Sequence, residues 1–259
     1  MPHNPFAVEI NQLTVNYDQT PALWDISLQI PQGHLVGIIG PNGAGKSTLI
    51  KAALGFVKPL AGSVSFFGFS RGGSRRQIAY VPQRESVDWD FPITVRELVM
   101  MGRYGHLSLC QRPRQADWEM VDQELERVGM LGFANRQISQ LSGGQQQRVF
   151  IARALSQDAD LYFLDEPFVG IDHTTEELLV QLFLSLKKKG KTLCIVHHDL
   201  GSIESFFDWL VILNVRLIAS GPCSEVFNPD TLGTAYGKSF ALFDEATRLS
   251  QSKQTGLRP

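Results

Sequence analysis

The stretch GPNGAGKST, Gly40 to Thr48, fits the pattern G-x-x-x-x-G-K-[ST]. In a loop of this kind the glycines let backbone N–H groups close around the β- and γ-phosphates of a nucleotide. The lysine neutralises charge and the hydroxyl after it offers an oxygen to Mg2+. Here those side chains are Lys46 and Ser47. The flanks are the ones such a loop needs. HLVGIIG before it is a nearly continuous apolar run, as expected of a strand buried on both faces, and KSTLIKAALG after it reads as a helix that Gly55 can end. A glycine-rich surface turn with a chance lysine would lack that setting. Gly40, Pro41, Asn42, Gly43, Ala44, Gly45, Lys46, Ser47 and Thr48 are therefore nucleotide-binding candidates.

LYFLDE supplies a second half. Asp165 ends an apolar strand, where it can hold Mg2+ directly or through water, and Glu166 beside it can polarise an attacking water. An acidic pair after a strand is, by itself, more often the start of a loop; together with a phosphate loop it reads as a hydrolytic site. LSGGQQQR, Leu141 to Arg148, poses a different question. Ser142, Gly143 and Gly144 open a helix in the manner of a second anion site built from N–H groups, in a chain that already has a complete one. Standing alone, it would be a serine-capped helix with a glycine turn. HHD places His197 and His198 side by side, but neighbours on a strand point to opposite faces and rarely ligate one ion together.

These residues need a scaffold. Leu13, Val15 and Tyr17, then Trp24, Ile26, Leu28 and Ile30, alternate with polar residues as in half-buried antiparallel strands, with the named residues facing inward. From about residue 84 to 140 the β pattern fades. TVRE, Thr94 to Glu97, is a capping box before LVMMG, and Trp118, Val121, Leu125 and Val128 form one apolar helical stripe, so this segment is an inserted helical subdomain. Strands return at DLYFLDEP, TLCIVHHD, WLVILN and RLIASG, with the amphipathic helix TTEELLVQLFLSLKKKG among them. Buried strands alternating with helices predict a mainly parallel α/β core. A single domain over 1–230 and a C-terminal extension over 231–259 with a frayed end complete the expected organisation.

Composition excludes several classes. With 259 residues, 43% hydrophobic, the chain can bury a full core, and a formal charge of -2 gives no basic field for nucleic acid. The densest basic run, KKKGK at Lys187 to Lys191, reads as a solvated helix end. Cys110, Cys194 and Cys223 are scattered and odd in number, which indicates neither a zinc spacing nor a disulfide framework and fits a reducing compartment. The N-terminus has no signal-peptide pattern, and no apolar stretch approaches the roughly 20 residues of a membrane span. Any membrane role is then expected to come through a partner.

The ordered set GPNGAGKST, Gln83 in YVPQR, LSGGQQQR, LYFLDEP, GID ending at Asp172, and HHD resembles the ATP-binding subunit of an ATP-binding-cassette (ABC) transporter over roughly Val8 to Pro222. That resemblance implies a P-loop ATPase core with an antiparallel β subdomain and an inserted helical subdomain, with ATP and Mg2+ as cofactors. It also implies a head-to-tail dimer in which LSGGQ acts on the nucleotide held by the other subunit. Ser142, Gly143, Gly144 and Gln145 would then face a partner's γ-phosphate, which is why one chain carries two half-sites. Tyr17 matches the aromatic residue that stacks on adenine, with a strand-end core tyrosine as the alternative. Gln83 matches the sensor of Mg2+ and γ-phosphate, Asp172 the link between the two sites, and His198 the switch histidine. His197 is expected to be structural and His173 solvated. Where a small or hydroxyl residue, a small residue and leucine are frequent in the family, DEPFVGID has Phe168, Val169 and Ile171, which bears on communication between the halves.

RESVDWDFPITVRELVMMGRYGH, Arg84 to His106, is rich in Trp89, Phe91, Met100, Met101 and Tyr104. An apolar, aromatic-laden segment beside a phosphate sensor suits a groove for a helix of a membrane partner; simple packing of the helical subdomain is the alternative, above all for the two methionines. VDWDFPITVRELVMMGRYG also resembles the ATPases of manganese, zinc and iron uptake systems, manganese first. By that likeness the chain would lie peripherally on the cytoplasmic side of the membrane. Its partners would be a second copy of itself, an integral membrane permease and, indirectly, an extracytoplasmic metal-binding protein. Zinc, iron or metal-chelate uptake, or a non-transport ABC ATPase, are the alternatives.

Overall fold

The computed structural model describes residues 4–18, 20–70, 78–108 and 111–237. Cys110 and the expected frayed end beyond 237 lie outside the described residues. Two sheets form the frame. Strands β1 (Phe6–Tyr17), β2 (Thr20–Pro31), β4 (Ala61–Phe66) and β5 (Phe69–Ser70) make an antiparallel sheet in the order β2-β1-β4-β5. The second sheet runs β10-β9-β3-β8-β7-β6. It comprises β3 (Leu35–Ile39), β6 (Ile78–Val81), β7 (Leu161–Asp165), β8 (Thr192–Val196), β9 (Trp209–Asn214) and β10 (Arg216–Pro222). It is parallel except for the β9–β10 hairpin at its edge.

The apolar runs are explained by what lies on each face of that six-stranded sheet. Val36, Ile38, Phe163, Cys194, Val196 and Val211 pack into one core with the antiparallel sheet. Leu35, Ile39, Tyr162, Leu164, Leu193, Ile195 and Ile212 pack into another with the helices. A strand with a core on each side has no solvated face, so alternation disappears from its sequence.

Tyr17 and Trp24, both expected to face inward, are exposed, and for Trp24 the register shows why. Trp24 is exposed and Leu23 is buried in its stead. The register slips between Leu13↔Ile26 and Val15↔Leu23, where Asp25 adopts a left-handed φ of 52°. That bulge inserts one residue and flips the side chains before it to the other face.

Helix α1 (Lys46–Leu54) follows the phosphate loop and ends at Gly55 in a left-handed cap. The helical insertion contains α2 (Val95–Met100) and α3 (Gln115–Arg127). The capping box of α2 is formed, with Thr94 Oγ1 accepting from the Glu97 N–H and Glu97 returning a carboxylate to the Thr94 N–H. Val121, Leu125 and Val128 of the apolar stripe are fully buried. Both helices pack on α4 (Gly143–Ser156), so the packed helical unit reaches past residue 140.

The remaining helices are α5 (His173–Lys188), α6 (Ile203–Phe206), α7 (Cys223–Val226) and α8 (Pro229–Tyr236). The boundary expected at 230 falls inside α8, whose Leu232 and Ala235 are buried. The KKKGK run is only partly solvated. Lys187 pairs with Asp208, and Lys191 with Asp158 at 3.3 Å and Asp160 at 3.0 Å, because the turn after α5 runs beside the loop that feeds β7.

Candidate functional site

Strands β3, β8, β7 and β6 lie side by side and parallel, so whatever follows their C-terminal ends is gathered at one edge. That edge is where open α/β sheets bind ligands. After β3 comes the loop 40–48, after β8 the histidine pair, at the end of β7 Asp165 and Glu166, and after β6 Gln83.

The loop's backbone explains its glycines. Gly45 has φ 92°, and a Cβ there would stand 2.5 Å from the Ala22 carbonyl oxygen; at Gly40 it would stand 2.1 Å from the Leu213 oxygen. No other residue fits either position. Lys46, only 8% exposed, donates to the carbonyls of Gly40 at 2.9 Å and Pro41 at 3.0 Å. Burial pulls its pKa down, opposed by the nearby charges of Glu166 and Asp165. A buried ammonium held only by two neutral carbonyls is poised for phosphate oxygens.

Ser47 Oγ donates to Asp165 Oδ1 at 3.0 Å, across 118 residues of sequence. Asp165 is fully buried and its Oδ2 has no partner. Burial raises its pKa to about 6, against the Ser47 hydrogen bond. A hydroxyl beside a carboxylate with a free, buried oxygen is a donor set of hard oxygens that fits Mg2+. Glu166 follows in the left-handed region at φ 54°, unusual for a non-glycine residue and the kind of local strain that gathers at functional sites.

The two histidines lie just past the end of β8, so the strand alternation expected of them does not apply: their rings stack, centroids 6.0 Å apart with 30° between planes, yet their surroundings differ. His197 is buried, its Nε2 is 2.8 Å from Ser202 Oγ, and its pKa is lowered by burial. His198 is exposed at the sheet edge. Phe168 sets its ring edge against His197, Phe183 and Phe206. The residue that departs from the family wording thus fills an aromatic cluster beneath the histidines. His173 is exposed, with the Glu177 carboxylate 3.6 Å away. Tyr17 ends β1 with 48% of its surface exposed, so its ring is free to stack rather than part of the core.

LSGGQ stands elsewhere. Ser142 caps α4: its Oγ accepts from the Gln145 N–H at 3.4 Å and the Gln145 Oε1 accepts from the Ser142 N–H at 2.9 Å. The atoms nearest the Cβ position of Gly144 belong to Gly170 and Ile171, and those nearest Gly143 belong to Arg84; none is in the phosphate loop. Asp172 caps α5, accepting from the Thr175 N–H at 3.0 Å and hydroxyl at 2.8 Å, which hold its pKa below the usual value. Within one chain, then, the glycine turn of α4 and the loop of α1 are not brought together.

The aromatic segment divides between core and surface. Met100 is buried and Trp89 packs edge-on against Phe150 at 5.0 Å, whereas Phe91, Met101 and Tyr104 are exposed. A cavity of about 710 Å³ opens between Phe56 and Met101–Gly102, with Tyr80 and Arg153 among its lining. Phe56, itself 67% exposed, was not among the residues singled out from sequence. It follows a helix-ending glycine, where no periodicity marks it. Two other residues near the site carried no sequence signal beyond proximity to a motif: Arg84, and Tyr236 of α8, whose hydroxyl is buried without a hydrogen-bond partner.

Residues 23–169 match the family model described as ABC transporter. The chain is 55% identical over 232 residues to the manganese transport system ATP-binding protein MntB of Bacillus subtilis, covering 90% of this chain and 93% of that protein. It is 52% identical over 232 residues to the zinc transport system ATP-binding protein TroB of Treponema pallidum, covering 90% and 87%. Among solved structures, the ATP-binding cassette MJ0796, a dimeric post-hydrolysis state bound to ADP and Pi, superposes with a TM-score of 0.74 at 28% identity, covering 83% of this chain and 98% of that one.

Proposed function

The chain belongs to the ABC transporter family, and we propose that it is the ATPase subunit of a divalent-metal importer, manganese being the favoured cargo. It is an ABC-type ATPase, and ATP with Mg2+ is its substrate. The observation that carries the catalytic reading is the Ser47–Asp165 hydrogen bond with its free carboxylate oxygen beside the Lys46 loop.

The N–H groups of the 40–48 loop would hold the β- and γ-phosphates, with Lys46 exchanging two carbonyl acceptors for phosphate oxygens. Ser47, Asp165 and Gln83 would hold Mg2+, which supplies charge neutralisation to the phosphates when bound. Glu166 would take the proton of the attacking water, and His198 would contact the γ-phosphate from the next strand. Tyr17 would stack on adenine. Ser142, Gly143, Gly144 and Gln145 would complete the site of a second copy of this chain, with Asp172 near the junction. No atom of their own chain's phosphate loop is among the nearest neighbours of Gly143 or Gly144, which supports that arrangement, since a helix N-terminus with no anion of its own can take one from elsewhere.

ABC importer ATPases dimerise and pair with a membrane permease. We place permease docking at the cavity bounded by Phe56 and Met101 and at the exposed Phe91 and Tyr104. No helix among the described residues is long and apolar enough to cross a membrane; by likeness to the transporter ATP-binding subunits, attachment would be peripheral, on the cytoplasmic side. The cargo reading is supported by likeness to the manganese transport subunit, and the zinc relative keeps zinc as the second reading.

The test is metal accumulation. Phe91→Asp should lower cellular Mn2+ uptake and co-purification of the permease while leaving ATP affinity unchanged, and loss of the gene should impair growth in metal-poor medium until Mn2+ is added. Relief by zinc alone would overturn the manganese choice. Unaltered content of every metal would overturn the uptake reading.

A further inference from the structure

One side chain outside the roles given above bridges Gln83 and the glycine turn of α4. Arg84 directly follows Gln83, and its Nε donates to Gln146 Oε1 at 3.1 Å. Its guanidinium lies against Gly143, where a Cβ would stand 2.7 Å from Arg84 Cζ and 2.8 Å from Nη1. Any side chain at 143 would displace it.

Both ends of this bridge are fixed. Gln146 is buried, and its Nε2 donates to the Ile138 carbonyl at 3.2 Å, which turns its oxygen toward Arg84. The Arg84 carbonyl accepts the Trp89 indole N–H at 2.9 Å. The Gln83 carbonyl accepts both the N–H and the hydroxyl of Ser86. The turn at 83–89 and the first turn of α4 are thereby joined through a planar, bonded cation rather than by loose packing.

The charge is on the unexpected side. A cation at a helix N-terminus opposes the helix dipole, and Gly143 and Gly144 are the residues whose N–H groups emerge there. A neutral acceptor from Gln146 and a glycine backbone as packing surface make the position tolerable. A phosphate in front of the turn would be attracted by the helix end and by Arg84 together.

We propose that Arg84 is a positioning residue that couples Gln83 to the Ser142–Gly144 turn, so that nucleotide at a chain's own Gln83 presets its glycine turn for the nucleotide of a second copy. This rests on the head-to-tail pairing proposed above and names the side chain that would carry the signal within each subunit.

The test uses Glu166→Gln as parent, because blocked turnover lets ATP-bound pairs accumulate. Dimer fraction is followed by sedimentation against ATP concentration, and ATP binding is measured separately at protein concentrations where only monomer exists. Arg84→Ala should raise the ATP concentration for half-dimerisation at least about fivefold, the lower end of coupling between sites, with monomer binding unchanged. Arg84→Lys should behave like Arg84→Ala, since an ammonium lacks the planar face and the Nε that meets Gln146. Gln146→Met should reproduce the shift, and combining it with Arg84→Ala should add nothing.

Three outcomes would overturn the proposal: parent-like dimerisation of Arg84→Ala, full rescue by lysine, or loss of monomer binding together with stability. If the Glu166→Gln parent itself stays monomeric in ATP, the head-to-tail reading falls and Arg84 with it. If the parent dimerises and the Arg84 variants match it, Arg84 alone falls.

Discussion

Asp165 meets two conflicting demands. Its place at the end of a central strand buries it completely, and desolvation raises its pKa to about 6 even though Ser47 donates to it. A carboxyl whose folded pKa lies above its unfolded value favours folding while protonated. That contribution is fully present below the unfolded value and is lost as pH rises through about 6. In EDTA without nucleotide, Asp165→Asn should therefore be more stable than the parent at neutral pH, by on the order of 2–3 kcal/mol, with the gap closing below about pH 4. MgATP should narrow the gap from the other side by stabilising only the parent. Thermal melts across the pH range check this, and a gap independent of pH would show that burial of the charge is not its cause.

At the scale of elements, α8 is part of the cassette rather than an appendage. Leu232 and Ala235 are buried, and the Asn214 side chain at the end of β9 donates to the Ala235 carbonyl at 3.0 Å. The Tyr236 hydroxyl, its pKa pushed up to about 12 by burial, is buried without a hydrogen-bond partner, and the Leu213 carbonyl next to Asn214 lies against Gly40 at the start of the phosphate loop. A helix packed on the end of β9 supports the strand end that abuts the loop. Leu232→Ala should cost about 2–5 kcal/mol of unfolding free energy, the range for a buried leucine truncated to alanine, and should weaken ATP binding in the same protein. Urea unfolding together with nucleotide titration measures both. Loss of stability without loss of affinity would mean that α8 supports the fold but not the loop.

The whole molecule contains two proposed half-sites, the loop of α1 and the glycine turn of α4, and a twofold pairing of two copies would complete both. Because one chain carries the loop of α1 and the glycine turn of α4, lesions in the two can be sorted by mixing subunits. Lys46→Ala and Ser142→Arg should each be inactive as pure dimers. In the mixed dimer one composite site carries both lesions and the other carries neither, so if sites turn over independently each mixed dimer should run at about half the parent rate, and a random pairing of equal amounts, in which about half the dimers are mixed, at about a quarter of it. Full activity of Ser142→Arg alone would show that the turn does not act across the pair. Closure of such a pair would carry the two helical insertions toward each other, and with them whatever sits between Phe56 and Met101.

The chemistry was legible in the sequence because its parts are local. A phosphate loop needs consecutive glycines, a lysine and a hydroxyl, and both flanking elements leave their own patterns: HLVGIIG is apolar throughout because β3 has a core on each face. The capping boxes at Thr94 and Ser142 are likewise four-residue devices. Tertiary structure decided what no local pattern contains. Ser47 meets Asp165 only because β3, β8 and β7 are neighbours in the sheet in an order unlike their order in the chain. Trp24 faces solvent because a left-handed Asp25 shifts the register, an event that strict alternation cannot encode. Arg84 reaches Gly143, and α8 packs on the end of β9 beside Gly40's neighbour Leu213, through contacts between segments far apart in sequence. Sequence periodicity records which face of one element is buried, but not which partner buries it, and the second fact assembles the site.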